Sequence, residues 1–165
     1  MSIDWNDVDA HITPHFTVGE ALLLPRWNSY HNPTYTEKAN IQIMAGKMEE
    51  VRALVNAPIQ VHCWIRPANA DLSHPANKDE MLRTRYHMAN YNAFVGGAIN
   101  SQHLVGKAVD FHVVGYEGQA GCREIRLELL PHLEHLGLRM EDKEGGWVHL
   151  DNGPVGANGR RFFKP

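Results

Sequence analysis

The sequence predicts an α+β fold in which helices flank a small antiparallel sheet. Two observations favour this class. Stretches with helical spacing of apolar residues alternate with short runs rich in β-branched and aromatic residues, and the 165 residues contain no repeat and no low-complexity linker. A chain of this length buries roughly two-thirds of the surface that its unfolded form exposes. We therefore expect residues 1–165 to form a single domain with one core.

Two helices are predicted in the N-terminal third of the chain. Thr17 precedes Glu20 by three positions, a capping-box pattern that begins a short helix, and Pro25 ends it. A longer helix is predicted within residues 32–58, with one apolar stripe facing the core and Pro58 as its end. The members of that stripe are Ile43, Met48, Val51 and Val55.

Three strands are predicted from short apolar runs. They are residues 59–67 (IQVHCWIRP), residues 107–115 (KAVDFHVVG) and residues 145–153 (GGWVHLDNG). Side chains alternate between the two faces of a strand. The third strand therefore presents one face with Trp147, His149 and Asp151 and another with Val148 and Leu150.

The segments between these strands have weaker or helical patterns. Residues 68–90 are polar, which predicts an excursion over the surface with one helical turn, and a short helix is expected over residues 91–97. A further amphipathic helix is predicted over residues 123–138, interrupted by Pro131 and capped by Gly137. Its apolar stripe contains Ile125, Leu129, Leu133 and Leu136.

Composition argues against several classes of partner. The formal net charge is −3 and no basic run is visible, which argues against nucleic acid. No apolar run approaches the ~18 residues of a membrane span. Residues 1–16 lack the basic start and apolar core of a signal peptide, so we expect a protein made in the cytoplasm with no encoded export route. We also expect a monomer. Cys63 and Cys122 form no CxxC pair and are expected to be buried thiols.

The candidate chemistry lies in one string of residues. His103 and Asp110 flank Gly106, which allows a tight turn between them, and His149 follows on the third predicted strand. A catalytic zinc site needs three ligands drawn from His, Asp, Glu or Cys and leaves a fourth position for water. The H-x6-D pair alone, in a chain with eleven histidines, is equally consistent with a capped turn and a solvated histidine.

The full string S-x-H-x-x-G-x-A-x-D at residues 101–110, followed by W-x-H at residues 147–149, resembles the zinc D,D-peptidases. This family includes D-alanyl-D-alanine carboxypeptidases, VanX-type dipeptidases and phage L-alanyl-D-glutamate endolysins, and the hedgehog signalling domain shares its fold. The resemblance covers most of the chain, and residues 68–90 are its least matched part. The other segments that carry it are HFTVGEALL, IQVHCWIRP, YNAFVGGAINSQH and GGWVHLDNG.

The resemblance implies a role for several side chains. It makes His103, Asp110 and His149 the ligands of a zinc ion, and it places Arg66 against the substrate carbonyl. Ser101 is expected to brace the turn that carries His103 and, secondarily, to contact substrate.

Three further residues each have a purely structural interpretation beside a functional one. Trp147 either lines a substrate groove or packs in the core. His62 and His112 alternate with apolar neighbours and are expected to be half-buried rather than ligands.

The general base departs from the family pattern. Relatives commonly carry a carboxylate three positions before the last histidine, where this chain has Gly146. Glu144 is the nearest carboxylate and is the expected base. Asp142 and Glu141 remain alternatives. Asp151 is a further alternative. It lies two residues along the strand from His149, about 7 Å away, which favours a supporting role beside that histidine.

The function implied by the resemblance is cleavage of peptidoglycan stem peptides by a carboxypeptidase or an endopeptidase. A phage endolysin that reaches the cell wall by a holin-type lysis route is one form of this expectation. Two alternatives remain. The chain could be an inactive zinc-binding module that binds the cell wall, or a structural protein such as a virion component.

Overall fold

The computed structural model describes residues 2–68, 91–143 and 145–164. Within them the strands are β1 (His11–Thr13), β2 (Phe16–Thr17), β3 (Leu23–Leu24), β4 (Ser29–Tyr30), β5 (Ile59–Cys63), β6 (Ala108–Val113), β7 (Arg139–Glu141), β8 (Val148–Asp151) and β9 (Phe162–Phe163). The α-helices are α1 (Val18–Leu22), α2 (Tyr35–Val55), α3 (Tyr91–Phe94), α4 (Gly118–Leu129) and α5 (Leu133–Leu136). Two 3₁₀ turns cover Gln102–Val105 and Leu130–His132. The predicted α+β class is confirmed.

The main sheet has the strand order β5-β6-β8-β7-β9. The three predicted strands are β5, β6 and β8, and they are antiparallel neighbours. The sheet extends beyond the three predicted strands at one edge, where β7 pairs with β8 antiparallel and β9 pairs with β7 in parallel. Two further pairs, β1 with β2 and β3 with β4, form small separate sheets.

Helix α2 is the longest described helix. Thr34 and Glu37 form a capping box at its start, and Asn56 ends it in the left-handed conformation. The predicted stripe is wrong at Ile43, which is 55% exposed, because Ile43 lies about 200° around the helix from the buried Ile41. The buried face comprises Ile41, Met44, Ala45, Met48 and Val51.

The other predicted helices also form. Thr17 and Glu20 make the expected capping box at α1. Pro131 lies in the 3₁₀ turn that separates α4 from α5, and Gly137 ends α5 with a φ of 64°. Helix α3 is shorter than predicted. The excursion predicted for residues 68–90 lies, beyond Ala68, outside the described residues.

The core lies on one face of the main sheet. Helix α4 packs there against β6 and β8, and α2 packs against α4. The sheet residues in this core are Val109, Phe111, Val113, Met140, Val148 and Leu150. Alternation along the strands turns Asp110 and His149 to the opposite face. No helix in the described part of the chain has the length and apolar character needed to cross a membrane.

Candidate metal centre

Three elements bring the predicted ligands together. Asp110 on β6 is directly opposite His149 on β8 in the antiparallel register. His103 lies on the 3₁₀ turn that leads into β6. Each of the three side chains offers one ligand atom, and these atoms all lie within 4.8 Å of one another.

The turn that carries His103 depends on its two flanking residues. At its start, the Ser101 Oγ accepts a hydrogen bond from the His103 N–H over 3.3 Å. At its end, Gly106 has a φ of 75°, and a Cβ atom there would lie 2.8 Å from Ile41 Cγ1. Glycine is therefore required both by the left-handed backbone and by the close approach of α2.

The hydrogen bonds of His103 fix its tautomer. Its Nδ1 lies 2.7 Å from the Trp64 carbonyl oxygen. Because a carbonyl only accepts hydrogen bonds, Nδ1 carries the proton and Nε2 keeps a free lone pair. Nε2 lies 3.2 Å from Asp110 Oδ1. Burial lowers the pKa of His103 despite the opposing charge of Asp110, so the imidazole stays neutral, as a metal ligand must be.

His149 is oriented from behind by Asp151. The His149 Nε2 lies 3.4 Å from Asp151 Oδ2, while its Nδ1 faces Asp110 Oδ1 at 2.8 Å. Asp151 Oδ1 accepts hydrogen bonds from Arg139 Nε over 2.8 Å and from the Gly153 N–H over 2.7 Å. Asp151 is only 1% exposed. This arrangement favours a supporting role for Asp151 over a general-base role.

Asp110 joins both histidines to Arg66. Its Oδ1 faces the two imidazoles, and its Oδ2 accepts a hydrogen bond from Arg66 Nη2. Burial alone would raise the pKa of Asp110, but His103 and His149 hold that pKa well below its usual range. Burial would lower the pKa of Arg66, yet the charge of Asp110 raises it. Both groups are therefore ionised.

The ionisation of His149 shows how the three ligands suit a cation. Burial acts to lower the pKa of His149, but its hydrogen bonds to Asp110 and Asp151 raise it to about 9. In the metal-free protein this proton supplies the positive charge between the two carboxylates. A zinc ion fits the same place, because two imidazole nitrogens and one carboxylate oxygen converge there.

The cluster of His103, Asp110 and His149 opens into a cleft of about 400 Å³. Ser101 and Trp147 also line this cleft. Trp147 is 38% exposed, so it lies on the cleft rather than in the core. A second cavity of about 760 Å³ shares Arg66, Asp110 and Trp147 with the cleft. The sequence-predicted residues Arg66, Ser101 and Trp147 thus lie beside the cluster.

Other sequence-predicted residues lie elsewhere. His62 and His112 contact each other, with His112 Nδ1 2.7 Å from His62 Nε2, and neither belongs to the three-residue cluster. Glu144, the expected general base, lies outside the described residues. The supporting Arg139 was missed, although the alternation of polar and apolar residues in Leu-Arg-Met-Glu after Gly137 is a strand signal.

Comparison with known proteins finds one similar family. Residues 76–151 match the family model described as Peptidase M15. The match includes all three members of the cluster and also residues 76–90, which were expected to be part of the least matched segment, while residues 1–75 lie outside it. No curated protein and no solved structure matches significantly. The segment that holds all three members of the cluster, residues 76–151, is thus similar to Peptidase M15.

Proposed function

We propose that this protein is a zinc-dependent peptidase that hydrolyses peptidoglycan stem peptides, with His103, Asp110 and His149 as the zinc ligands. The observation that carries the proposal is the convergence of their ligand atoms within 4.8 Å. The tautomer of His103 and the support of His149 by Asp151 agree with it, because ligating histidines commonly donate their second N–H to a carbonyl or carboxylate. The family supplies the reaction class.

A bound zinc ion would supply a Lewis acid and lower the pKa of the water that it binds. Arg66 would supply directed donors beside it. One Nη atom holds Asp110 and the backbone N–H donates to the His103 carbonyl over 2.9 Å, so the guanidinium is fixed at the edge of the cleft. A donor aimed at a developing oxyanion typically contributes a few kcal/mol, roughly 3–4 in measured cases.

The rest of the cleft suits an acidic peptide. Lys143 and Lys164 line it, and Lys143 Nζ lies 5.6 Å from the centroid of the Trp147 ring. Stem peptides carry free carboxylates that such ammonium groups attract. Trp147 and Ser101 would contact the peptide backbone or its side chains from either side of the cluster.

Mass spectrometry of purified murein treated with the zinc-loaded protein tests the proposal. We expect new peptide fragments from wild-type protein and none from His149→Ala, whereas His135→Ala on the exposed face of α5 should behave like wild type. Release of D-alanine alone would identify a carboxypeptidase, and cleavage within the stem or cross-bridge an endopeptidase. Intact murein after treatment with zinc-loaded wild-type protein would contradict the proposal.

A further inference from the structure

A fourth chemically active side chain lies in the same row of the sheet as His149 and Asp110. Glu141 is the last residue of β7. In the pairing of β7 with β8, Arg139 is opposite Asp151 and Met140 is opposite Leu150. Continuing this register by one residue places Glu141 opposite His149, which is itself opposite Asp110 on β6. The row therefore crosses three strands.

Alternation along β7 decides which way Glu141 points. Met140 is fully buried and belongs to the core on the helical face of the sheet. Arg139 reaches Asp151 on the opposite face, and residues two apart in a strand share a face. Glu141 therefore points to the face of the metal cluster. Residues opposite each other in an antiparallel pair have Cβ atoms about 5 Å apart, which brings Glu141 beside His149.

Two further observations agree with this placement. Glu141 lines the 400 Å³ cleft together with all three members of the cluster. Phe163, its partner on β9, has its ring centroid 6.4 Å from that of His149.

Among the described carboxylates of the cleft, Glu141 is the one without a hydrogen-bond or ion-pair partner. The described acidic residues that line the cleft are Asp110, Glu141 and Asp151. Asp110 is held by two histidines and Arg66, and Asp151 is held by Arg139, Gly153 and His149. Glu141 is half-buried, and its side chain makes no hydrogen bond or ion pair with any residue that the structure describes. It can therefore accept a proton without breaking an existing interaction.

We infer that Glu141, in preference to Glu144, is the general base of the hydrolysis; this rests on the proposed function. The water oxygen forms a bond to the peptide carbonyl carbon, and one water proton passes to the Glu141 carboxylate. The C–N bond then breaks, and Glu141 gives that proton to the leaving amine nitrogen. The second water proton leaves with the new carboxyl group, and Glu141 is ionised again.

Kinetics of three glutamate variants on a stem-peptide substrate test this role. We expect Glu141→Gln to lower kcat/KM by at least about 100-fold, since general-base assistance typically contributes 10²–10⁴-fold. Zinc content and Tm should match wild type. Glu50→Gln, on the exposed side of α2, is the matched control and should keep full activity. An active Glu141→Gln protein, or loss of activity confined to Glu144→Gln, would overturn the inference.

A second readout does not depend on activity. In carbon-13 NMR of the carboxyl groups, the signal missing from Glu141→Gln identifies Glu141. One equivalent of zinc should change the chemical shift of this signal at constant pH, because the bound cation lies close to the carboxylate, while the Glu50 signal should not respond. A Glu141 signal that ignores zinc would overturn the inference. Inactivity of wild-type protein would instead contradict the proposed function, so the two failures are distinguishable.

Discussion

Asp110 is the residue that ties the candidate site together. One of its oxygens faces both histidines and the other faces Arg66, so a single carboxylate couples the proposed ligands to the proposed substrate donor. Its side chain is only 6% exposed. Removing any one of these partners would leave a buried charge without full compensation, a change that is usually costly.

Arg66→Lys separates the shape of the guanidinium from its charge. We expect kcat/KM on a stem peptide to fall by more than tenfold, about 1.4 kcal/mol of transition-state stabilisation, because a lysine ammonium cannot hold Asp110 and still present directed donors. Zinc content should stay near wild type. The matched control is Arg123→Lys on the exposed side of α4. An Arg66→Lys protein that is stable, zinc-loaded and fully active would remove Arg66 from the site.

Elements with a strong local signal could be predicted from the sequence. The capping box at Thr17, the interruption at Pro131 and the left-handed Gly137 are each determined by nearby residues, and all are present. The strands β7 and β9 were missed because they have only three and two residues, so the alternation around β7 is short and β9 has too few residues to show one. Ile43 was misplaced because apolar character alone does not fix the phase of a helix.

The candidate site could also be predicted only in part from the sequence. The motif supplies the identities of His103, Asp110 and His149. The register of β7 against β8 supplies what the motif could not, namely Arg139 behind Asp151 and Glu141 beside His149. Contacts that depend on strand register cannot be derived from a strand that the sequence does not predict.

Gly106→Ala tests whether the turn before β6 positions His103. Both Gly106 and Gly159 are left-handed, with φ values of 75° and 70°, but only Gly106 approaches another element. An added Cβ at Gly159 should cost about 1–2 kcal/mol of unfolding free energy from backbone strain alone. Gly106→Ala should cost about 1–3 kcal/mol more, because it also overpacks against Ile41.

Urea unfolding with zinc analysis measures both effects. We expect Gly106→Ala to lose zinc affinity as well as stability, and Gly159→Ala to keep its zinc. Equal destabilisation of the two variants with unchanged zinc binding would show that the turn does not position His103.

The core and the candidate site lie on opposite faces of the main sheet. Apolar side chains of the main sheet face α4 on one side, and the cluster with its cleft lies on the other. The stability of the metal-free protein is nevertheless coupled to the site, because His149 has a raised pKa there.

This coupling predicts a pH dependence of the metal-free protein. The pKa of His149 is about 9 in the folded state against 6.5 as its ordinary value, so the folded state binds the proton more tightly. The resulting stability is fully present below pH 6.5 and is lost as pH rises towards 9. We expect the unfolding free energy to fall by up to about 3 kcal/mol across this range.

Urea titrations between pH 6.5 and 8.5 check this trend. Burial raises the pKa of the Cys63 thiol to about 11, and this pH window lies below the range in which that thiol affects stability. A metal-free His149→Gln protein should show a flatter slope. Zinc affinity should change in the opposite direction and rise with pH, since zinc must displace the His149 proton. A metal-free wild-type protein whose stability rises with pH in this window would contradict the assigned ionisation.

The zinc content of the purified protein tests the proposed metal centre directly. Elemental analysis after metal-replete purification should find about one zinc ion per chain in wild-type protein and in His135→Ala, the ordinary complement of a three-ligand catalytic site. The His103→Ala, His149→Ala double variant should contain almost none. Wild-type protein without a transition metal, or a double variant that keeps its full zinc content, would contradict the assignment of His103, Asp110 and His149 as a metal centre.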